Sequence, residues 1–370
     1  MLYEKKRVLI FNNVNSAEAS FAIKEKLAEE KEVLPIIIGQ HELRGVIQNF
    51  LAEKMFGDYS SVRSWWRRRK QQVTARHIDR KEFKEVKYNP EILAHKKMKN
   101  IFMRYNPEVV VCMCLKSIMP ALAVRKLTGA KTRVAVSICD YVLDKRWVHP
   151  EVDFYTVPNL SIKGEIMQLG IPEEKIEICP IPVRKHYIED CDKAEANISL
   201  GLDPALPTVL LVATGSFNLK MRQLVKYLKE EKLKMNILVA CGYDRNLLKD
   251  IQMLSNLNII GRNEGLDMNL AYSAADIVIA RPRSANIAMA IAKNKLLITY
   301  DKVGQQEDRA AQIASVEYTV DCNSAEEVLG TLKSYIDNKK AYIDNIPEQK
   351  IPPKEASERV KGLLMELVKK

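Results

Sequence analysis

The sequence predicts an α/β fold: two Rossmann-like domains, each a doubly wound parallel sheet, with a cleft between them. Three observations carry this expectation. Short apolar runs rich in Val, Ile and Leu alternate with helical stretches along the chain, as in βαβ units. The alternation occurs twice, separated by a lapse into polar and turn residues over 190–205 that ends in Asp203-Pro204. The 370 residues, 47% hydrophobic and 28% charged, suffice for two domains that each bury a core.

In the first half, residues 7–11 read as a buried strand, 17–31 as a helix and 33–38 as a second strand. A turn at Tyr105-Asn106-Pro107 leads into another strand, followed by a helix over 119–127 and a strand over 134–138. From Val136 to Tyr187 the chain runs through Asp140 at a strand's end, Trp147 and His149-Pro150, a short strand and a helix. Gly170-Ile171-Pro172 and Ile181-Pro182-Val183 follow. In the second half, strands are expected at 207–212, 236–242, 256–262, 277–281, 295–300 and 316–320. Helices are expected at 222–231, 247–254, 268–276, 285–293, 310–315, 325–337 and 355–369. The implied boundaries are 1–190, 200–350 and a terminal helix in 351–370 that packs back on the first domain. Ligands of such sheets sit beyond the carboxyl ends of the strands, so the loops there are the candidates.

No apolar run approaches the ~20 residues of a membrane span. The start, MLYEKKRVLIF, continues as a strand and lacks the small-residue cleavage site of a signal peptide. Seven cysteines sit singly, among them Cys112, Cys114, Cys139 and Cys241 in apolar segments. None has metal-ligand spacing and the odd count argues against a disulfide framework, which makes a reducing cytoplasm the default.

The net charge of +11 is concentrated. Residues 62–105 hold fourteen Lys or Arg against four acids, a local +10. Trp65, Trp66, Phe83, Tyr88, Phe102 and Tyr105 are interleaved with that charge, most densely in Trp65-Trp66-Arg67-Arg68-Arg69-Lys70. Over 94–105, Ala94, Met98, Ile101, Phe102 and Tyr105 share one helical face, away from Lys96, Lys97, Lys99 and Arg104. The segment reads either as a solvated basic helix on an ordinary core or as a membrane contact, with tryptophans at headgroup level and cations on anionic lipid. No nucleic-acid fold motif accompanies the charge, so no nucleic-acid partner is expected.

The run 136–187 resembles the monogalactosyldiacylglycerol synthase and bacterial diacylglycerol glucosyltransferase family. The resemblance rests on Asp140-Tyr141, Arg146-Trp147, His149-Pro150, Val152-Asp153, Tyr155, Gly170, Lys175-Ile176 and Ile181-Pro182-Val183. It resumes over 209–314 with Leu211 to Gly215, Cys241-Gly242, Ala274-Ala275-Asp276 into Ile277-Val278-Ile279, Pro282 and Gly304-Gln305. It is weak over 40–105. The resemblance implies a GT-B fold and transfer of a sugar from a UDP-sugar to a diacylglycerol-like hydroxyl, with inversion and without a metal or other cofactor. It also implies a peripheral position on the cytoplasmic face of the cell membrane.

Both substrate loops depart from the family's pattern. The family's Gly-rich loop ending in Gly-His reads NNVNSAEAS here: Asn15-Ser16-Ala17 follows the family's pattern, but neither the glycines nor the His that would be the base is present, and Asn13, Asn15 and Ser16 are the loop's candidates. With that base absent, Asp140 is the leading candidate for the catalytic base, and Trp147 and His149 are further acceptor-side candidates, their bland reading being packing in a turn. On the nucleotide side, Pro-Gly-Gly reads Pro282-Arg283-Ser284-Ala285-Asn286, and Met289 stands where a Glu holds the ribose. The family's Gly-Gln-Glu-x-x-Asn reads Gly304-Gln305-Gln306-Glu307-Asp308-Arg309. The nucleotide-side candidates are therefore Gly215 and Ser216 after Thr214, Arg262, Arg283, Ser284, Asn286, Met289, Gln305, Gln306 and Glu307. Arg283 or Arg262 would stabilise a leaving diphosphate. The rival expectation is a non-catalytic relative that keeps the fold and loses turnover; another chemistry on the same fold, such as sugar-nucleotide epimerisation, is a third.

Overall fold

The computed structural model describes residues 5–13, 16–39, 96–189, 191–213, 219–254, 258–263, 265–315, 319–338 and 355–369. These fall into two compact units. One holds the described residues up to Arg184 together with the C-terminal helix; the other holds those from Lys185 to 338.

The first unit is built on six parallel strands: β1 (Lys6–Asn12), β2 (Val33–Gly39), β3 (Val109–Cys112), β4 (Arg133–Ser137), β5 (Phe154–Val157) and β6 (Ile176–Ile178). Their order in the sheet is β2-β1-β3-β4-β5-β6. Val8 to Phe11 and all of β3 are fully buried, as expected where helices cover both faces of a parallel sheet. The covering helices include α1 (Ala17–Leu27), α2 (Lys96–Tyr105), α3 (Leu115–Thr128) and α4 (Leu160–Gln168). On α2, Met98 and Phe102 are buried and Ile101 and Tyr105 pack against the same core, so the apolar stripe expected over 98–105 does face inward. Helix α3 begins four residues earlier than expected and carries Pro120 inside it.

The second unit repeats the plan with β7 (Thr208–Val212), β8 (Asn236–Ala240), β9 (Ile259–Arg262), β10 (Ile277–Ala280), β11 (Leu296–Thr299) and β12 (Thr319–Asp321). The order is β12-β11-β10-β7-β8-β9, all pairs parallel. Strands β7, β8, β10 and β11 are buried throughout. The chain enters this unit through α5 (Lys185–Ile188) and α6 (Lys193–Leu200), so the polar lapse expected as a linker is largely helical. Asp192 caps α6 by accepting from Glu195 N at 3.0 Å. Fully buried Asn197 ties α6 to the sheet, accepting from Thr208 Oγ1 at 2.7 Å. A polar stretch can thus be core when its hydrogen bonds are complete.

Helices α7 (Leu219–Glu230), α8 (Arg245–Leu254), α9 (Met268–Ala274), α10 (Ser284–Ala292), α11 (Gly304–Ser315) and α12 (Ala325–Asp337) complete the second unit. The last helix, α13 (Ala356–Lys369), belongs to the first unit and packs on α1 through Val360, Leu364 and Val368. Its rim is ionic: Lys361 contacts Glu358 at 2.5 Å and Glu30 at 3.1 Å, and Arg359 pairs with Glu177.

Candidate functional site

In the second sheet the strand order reverses direction between β7 and β10, so the crevice for a ligand lies beyond the carboxyl ends of those two strands. Strand β10 ends at Ala280 and the chain turns through Arg281-Pro282-Arg283 into α10. Arg283 occupies the N-cap position with extended backbone and makes no side-chain capping bond, so the first-turn amides of α10 face the crevice uncapped by that residue. Amides and dipole at such an end favour an anion. The Arg283 side chain is 46% exposed and lies 3.6 Å from Glu307 on α11, so two of the nucleotide-side candidates meet. Glu307 also accepts from Val303 N at 2.7 Å, which closes the first turn of α11.

The other nucleotide-side candidates take varied places. Ser284 opens α10 half-buried, and Met289 lies one turn on, also half-buried. Asn286 is buried and donates from Nδ2 to the Arg281 carbonyl at 3.0 Å, so it shapes the loop rather than reaching into it. Gln305 is exposed on the first turn of α11. Arg262 ends β9, three strands from β10 or about 14 Å away at ordinary strand spacing. Its guanidinium donates to the Leu200 carbonyl at 3.0 Å. The structure therefore does not bring Arg262 together with Arg283. Thr214, Gly215, Ser216 and the Gln306 side chain lie outside the described residues.

Beneath this crevice the structure adds residues that sequence reasoning missed. Arg281 and Asp301, each about 6% exposed at the side chain, form a buried pair: Nη2 and Nε donate to one Asp301 oxygen at 2.6 and 3.1 Å. Next to them, Lys302 contacts both carboxylate oxygens of Asp321 at 2.7 and 2.6 Å, and Thr299 Oγ1 donates to the same group at 2.7 Å. The readable signal was a charge at each of three successive strand ends.

In the first sheet the reversal falls between β1 and β3. Ser16, buried, bridges their carboxyl ends by donating from Oγ to the Met113 carbonyl at 2.8 Å. Asn13 locks the turn, its Oδ1 accepting from Ser16 N at 3.0 Å and its N–H donating to Ser16 Oγ at 3.1 Å. Asn12 is buried against Ser20, at 2.7 Å. A hydrogen-bonded Asn-Ser knot thus stands where the resemblance implies an open glycine loop; Asn15 lies outside the described residues.

Asp140 follows β4 at the same carboxyl edge and is half-buried. Trp147 and His149 lie elsewhere. Trp147 is 8% exposed and part of the core around Val152 and Tyr155, so its ring is packing. His149 sits where the chain re-enters β5, at the amino edge of the sheet. Nearby, Asp153 accepts from Val134 N at 2.8 Å and Arg125 at 2.5 Å. The five residues of β4 put that edge about 17 Å from Asp140. His149 Nδ1 accepts from Glu151 N at 3.2 Å, a bond that requires the unprotonated nitrogen, and burial lowers its pKa further. It belongs to the turn and not to an acceptor site.

Thiol chemistry has no support here. Burial pushes Cys112, Cys139, Cys179 and Cys241 up to about 12, so each stays a neutral thiol. A cavity of about 450 Å³ lies at the opposite, amino edge of the second sheet, lined by Lys193, Ser273, Lys293 and Lys295. There Lys293 donates to the Glu189 carbonyl and Lys295 to that of Ser273, at the ends of α5 and α9, which is ordinary helix capping. Among the described residues no group of three or more His, Cys, Asp or Glu is placed to hold a metal ion, and no helix is long and apolar enough to cross a membrane. The basic residues Arg67, Arg68, Arg69 and Lys70, with Trp65 and Trp66, lie outside the described residues.

Comparison with known proteins agrees with this architecture. The family model described as monogalactosyldiacylglycerol (MGDG) synthase matches residues 17–183. The processive diacylglycerol beta-glucosyltransferase of Bacillus licheniformis is 24% identical over 255 residues, which is 67% of this chain and 65% of that protein. The Staphylococcus carnosus enzyme of the same name is 25% identical over 217 residues, 57% and 54% of the two chains. The chain thus spans less than two thirds of the length of the curated relatives it matches. Among solved structures, MurG of Acinetobacter baumannii superposes with a TM-score of 0.61 at 14% identity, over 98% of this chain and 99% of that one. The MnaA–UDP complex of S. aureus gives 0.60 at 12% identity, over 99% and 98%. These likenesses establish a two-domain GT-B fold. The family match covers most of the first unit but less than half of the chain, and the relatives are about a quarter identical, so the chain is similar to the monogalactosyldiacylglycerol synthase and diacylglycerol glucosyltransferase family.

Proposed function

We propose that this protein transfers a sugar from a UDP-sugar to a diacylglycerol-like hydroxyl at a membrane surface, with inversion and without a metal. The observation that carries the reading is the anion seat of the second unit: the start of α10 at the sheet's reversal point, with Arg283 at its N-cap. A nucleoside diphosphate matches that chemistry, because amides, helix dipole and guanidinium all favour its negative charge. The cationic seat would stabilise the departing UDP, the task a metal performs in other transferases. Met289 accepts no hydrogen bond from a ribose, so the seat relies on the diphosphate more than on the sugar of the nucleotide. Asp140, at the carboxyl edge of the first sheet, is the proposed base toward the acceptor hydroxyl. The basic, Trp-containing segment before α2 supplies the contact with an anionic membrane on its cytoplasmic face.

Two measurements in sequence test this. Calorimetric titration with UDP should show saturable binding, and UDP-hexoses with diacylglycerol in anionic liposomes should then give glycolipid. Absence of UDP binding sinks the nucleotide-site assignment. Binding without turnover of any donor moves the chain to the non-catalytic reading. Asp140→Asn should leave UDP affinity unchanged and reduce turnover by about 10²-fold or more, the scale of general base catalysis.

A further inference from the structure

Three consecutive strand ends of the second sheet are stitched together by two ion pairs directly under the anion seat. Arg281, one residue past β10, is bonded to Asp301, two residues past β11. Lys302 is bonded to Asp321 at the end of β12. The loop from β11 into α11 is thereby held at 301 toward β10, at 302 toward β12 and at 303 by Glu307. The loop from β10 into α10 is held at Arg281, whose carbonyl also accepts from Asn286 on the first turn of α10.

Asp301 adopts φ 57, a left-handed backbone that costs a non-glycine residue energy and persists only where surroundings enforce it. Aspartate tolerates that conformation better than most residues. A buried ion pair adds little to net stability compared with an apolar pair of similar volume, since desolvation offsets the attraction. Strain and buried charge placed together at the mouth of a binding crevice point to geometry, not stability, as what the pair supplies.

We propose that Arg281 and Asp301 are positioning residues for an anionic ligand: their bond fixes the start of α10 and the Arg283–Glu307 contact in the spacing a diphosphate needs. The inference rests on the UDP-sugar reading of the same seat, and its test separates the two. Arg281→Met combined with Asp301→Asn removes both charges while Asn keeps the left-handed turn accessible. This double variant should keep a thermal midpoint close to wild type, yet lose at least tenfold in UDP affinity by calorimetry. Hydrogen exchange of the unliganded protein should also show at least tenfold less protection in the 284–292 segment.

Lys193→Met with Asp276→Asn, which removes a buried-edge pair of the same unit at the opposite end of the sheet, is the control for general loosening and should change neither readout. Unchanged affinity and unchanged exchange in a folded Arg281/Asp301 double variant would overturn the proposal, as would equal losses in the control. If the wild type does not bind UDP, the nucleotide reading fails by itself and the exchange result alone decides the positioning role. Should the double variant fail to fold, Arg281→Lys decides instead. It keeps the charge and loses the two-nitrogen grip, and threefold to tenfold weaker UDP binding supports the proposal while wild-type binding overturns it.

Discussion

Arg283 stands between two partners. It lies 3.6 Å from Glu307, with nearly half its side chain in solvent, and an ion pair so exposed contributes little. A diphosphate brought to the start of α10 offers the guanidinium a stronger partner, a charge-assisted bond backed by the helix dipole. Arg283→Ala should therefore weaken UDP binding by about 10- to 100-fold, the equivalent of one charged hydrogen bond. Glu307→Gln should leave it the same or tighter, since the competing carboxylate is gone. Calorimetry on both variants checks this, and wild-type affinity in Arg283→Ala would remove the residue from the seat. At the other end of the molecule's chemistry, His149 is held neutral by burial and by the Glu151 N–H on its Nδ1. Its folded pKa lies below the unfolded value near 6.5, so the unfolded chain binds the proton first as pH falls. Stability from this group is complete above pH ~6.5 and declines below it, down to the folded pKa. Denaturant midpoints followed from pH 7.5 to 5 should fall less steeply in His149→Gln than in the wild type; an identical slope would show that the imidazole is not buried neutral.

At the scale of elements, what the sequence reveals follows from how much of each element's cause is local. Strands β7, β8, β10 and β11 are buried throughout, so their apolar runs announce them without reference to anything else. Helix α3, expected over 119–127, starts at Leu115 and tolerates Pro120 within it, a tertiary override of proline's helix-breaking tendency. Helix α6 lies within the polar stretch expected as a linker, although Asp192 with Glu195 three places on is a legible start signal. The Arg281–Asp301 pair was hidden for a different reason: its partners are 20 residues apart and meet only because β10 and β11 are neighbours. The C-terminal helix shows how a non-local element is held. Buried Leu364 on α13 packs toward α1, with ionic contacts at the rim contributing modestly. Leu364→Ala should cost about 2–5 kcal/mol, as for other buried leucines, while Lys361→Ala costs about 1 kcal/mol or less. Chemical denaturation measures both, and equal effects would mean that the ionic rim rather than the apolar face holds the helix.

For the whole molecule the decisive quantity is the placement of charge. Ten of the eleven net positive charges belong to residues 62–105, so the rest of the chain is close to neutral. Uniform basicity would bind any polyanion weakly; a segment with fourteen cations, two tryptophans at 65 and 66, and an amphipathic helix at its end is suited to a charged, partly apolar surface. The described end of that segment, α2, buries Met98 and Phe102 in its own core and leaves Met103 71% exposed, so its inward face is already taken. On the proposed function, attraction to a membrane would come from the cations and the preceding tryptophans. Each cation near an anionic leaflet contributes about 1 kcal/mol, and the field decays over about 10 Å at 0.1 M salt. The protein should therefore float with vesicles containing anionic lipid and not with neutral ones, and should be released as salt rises toward about 0.5 M, where the screening length is roughly halved. Reversing Arg67, Arg68, Arg69 and Lys70 to Glu should abolish flotation in low salt while leaving calorimetric UDP affinity intact, because none of the four is among the residues of the proposed nucleotide seat. Flotation that survives the reversal would show that the basic segment is a solvated surface, and the proposed lipid acceptor would then have to be reached by another face of the protein.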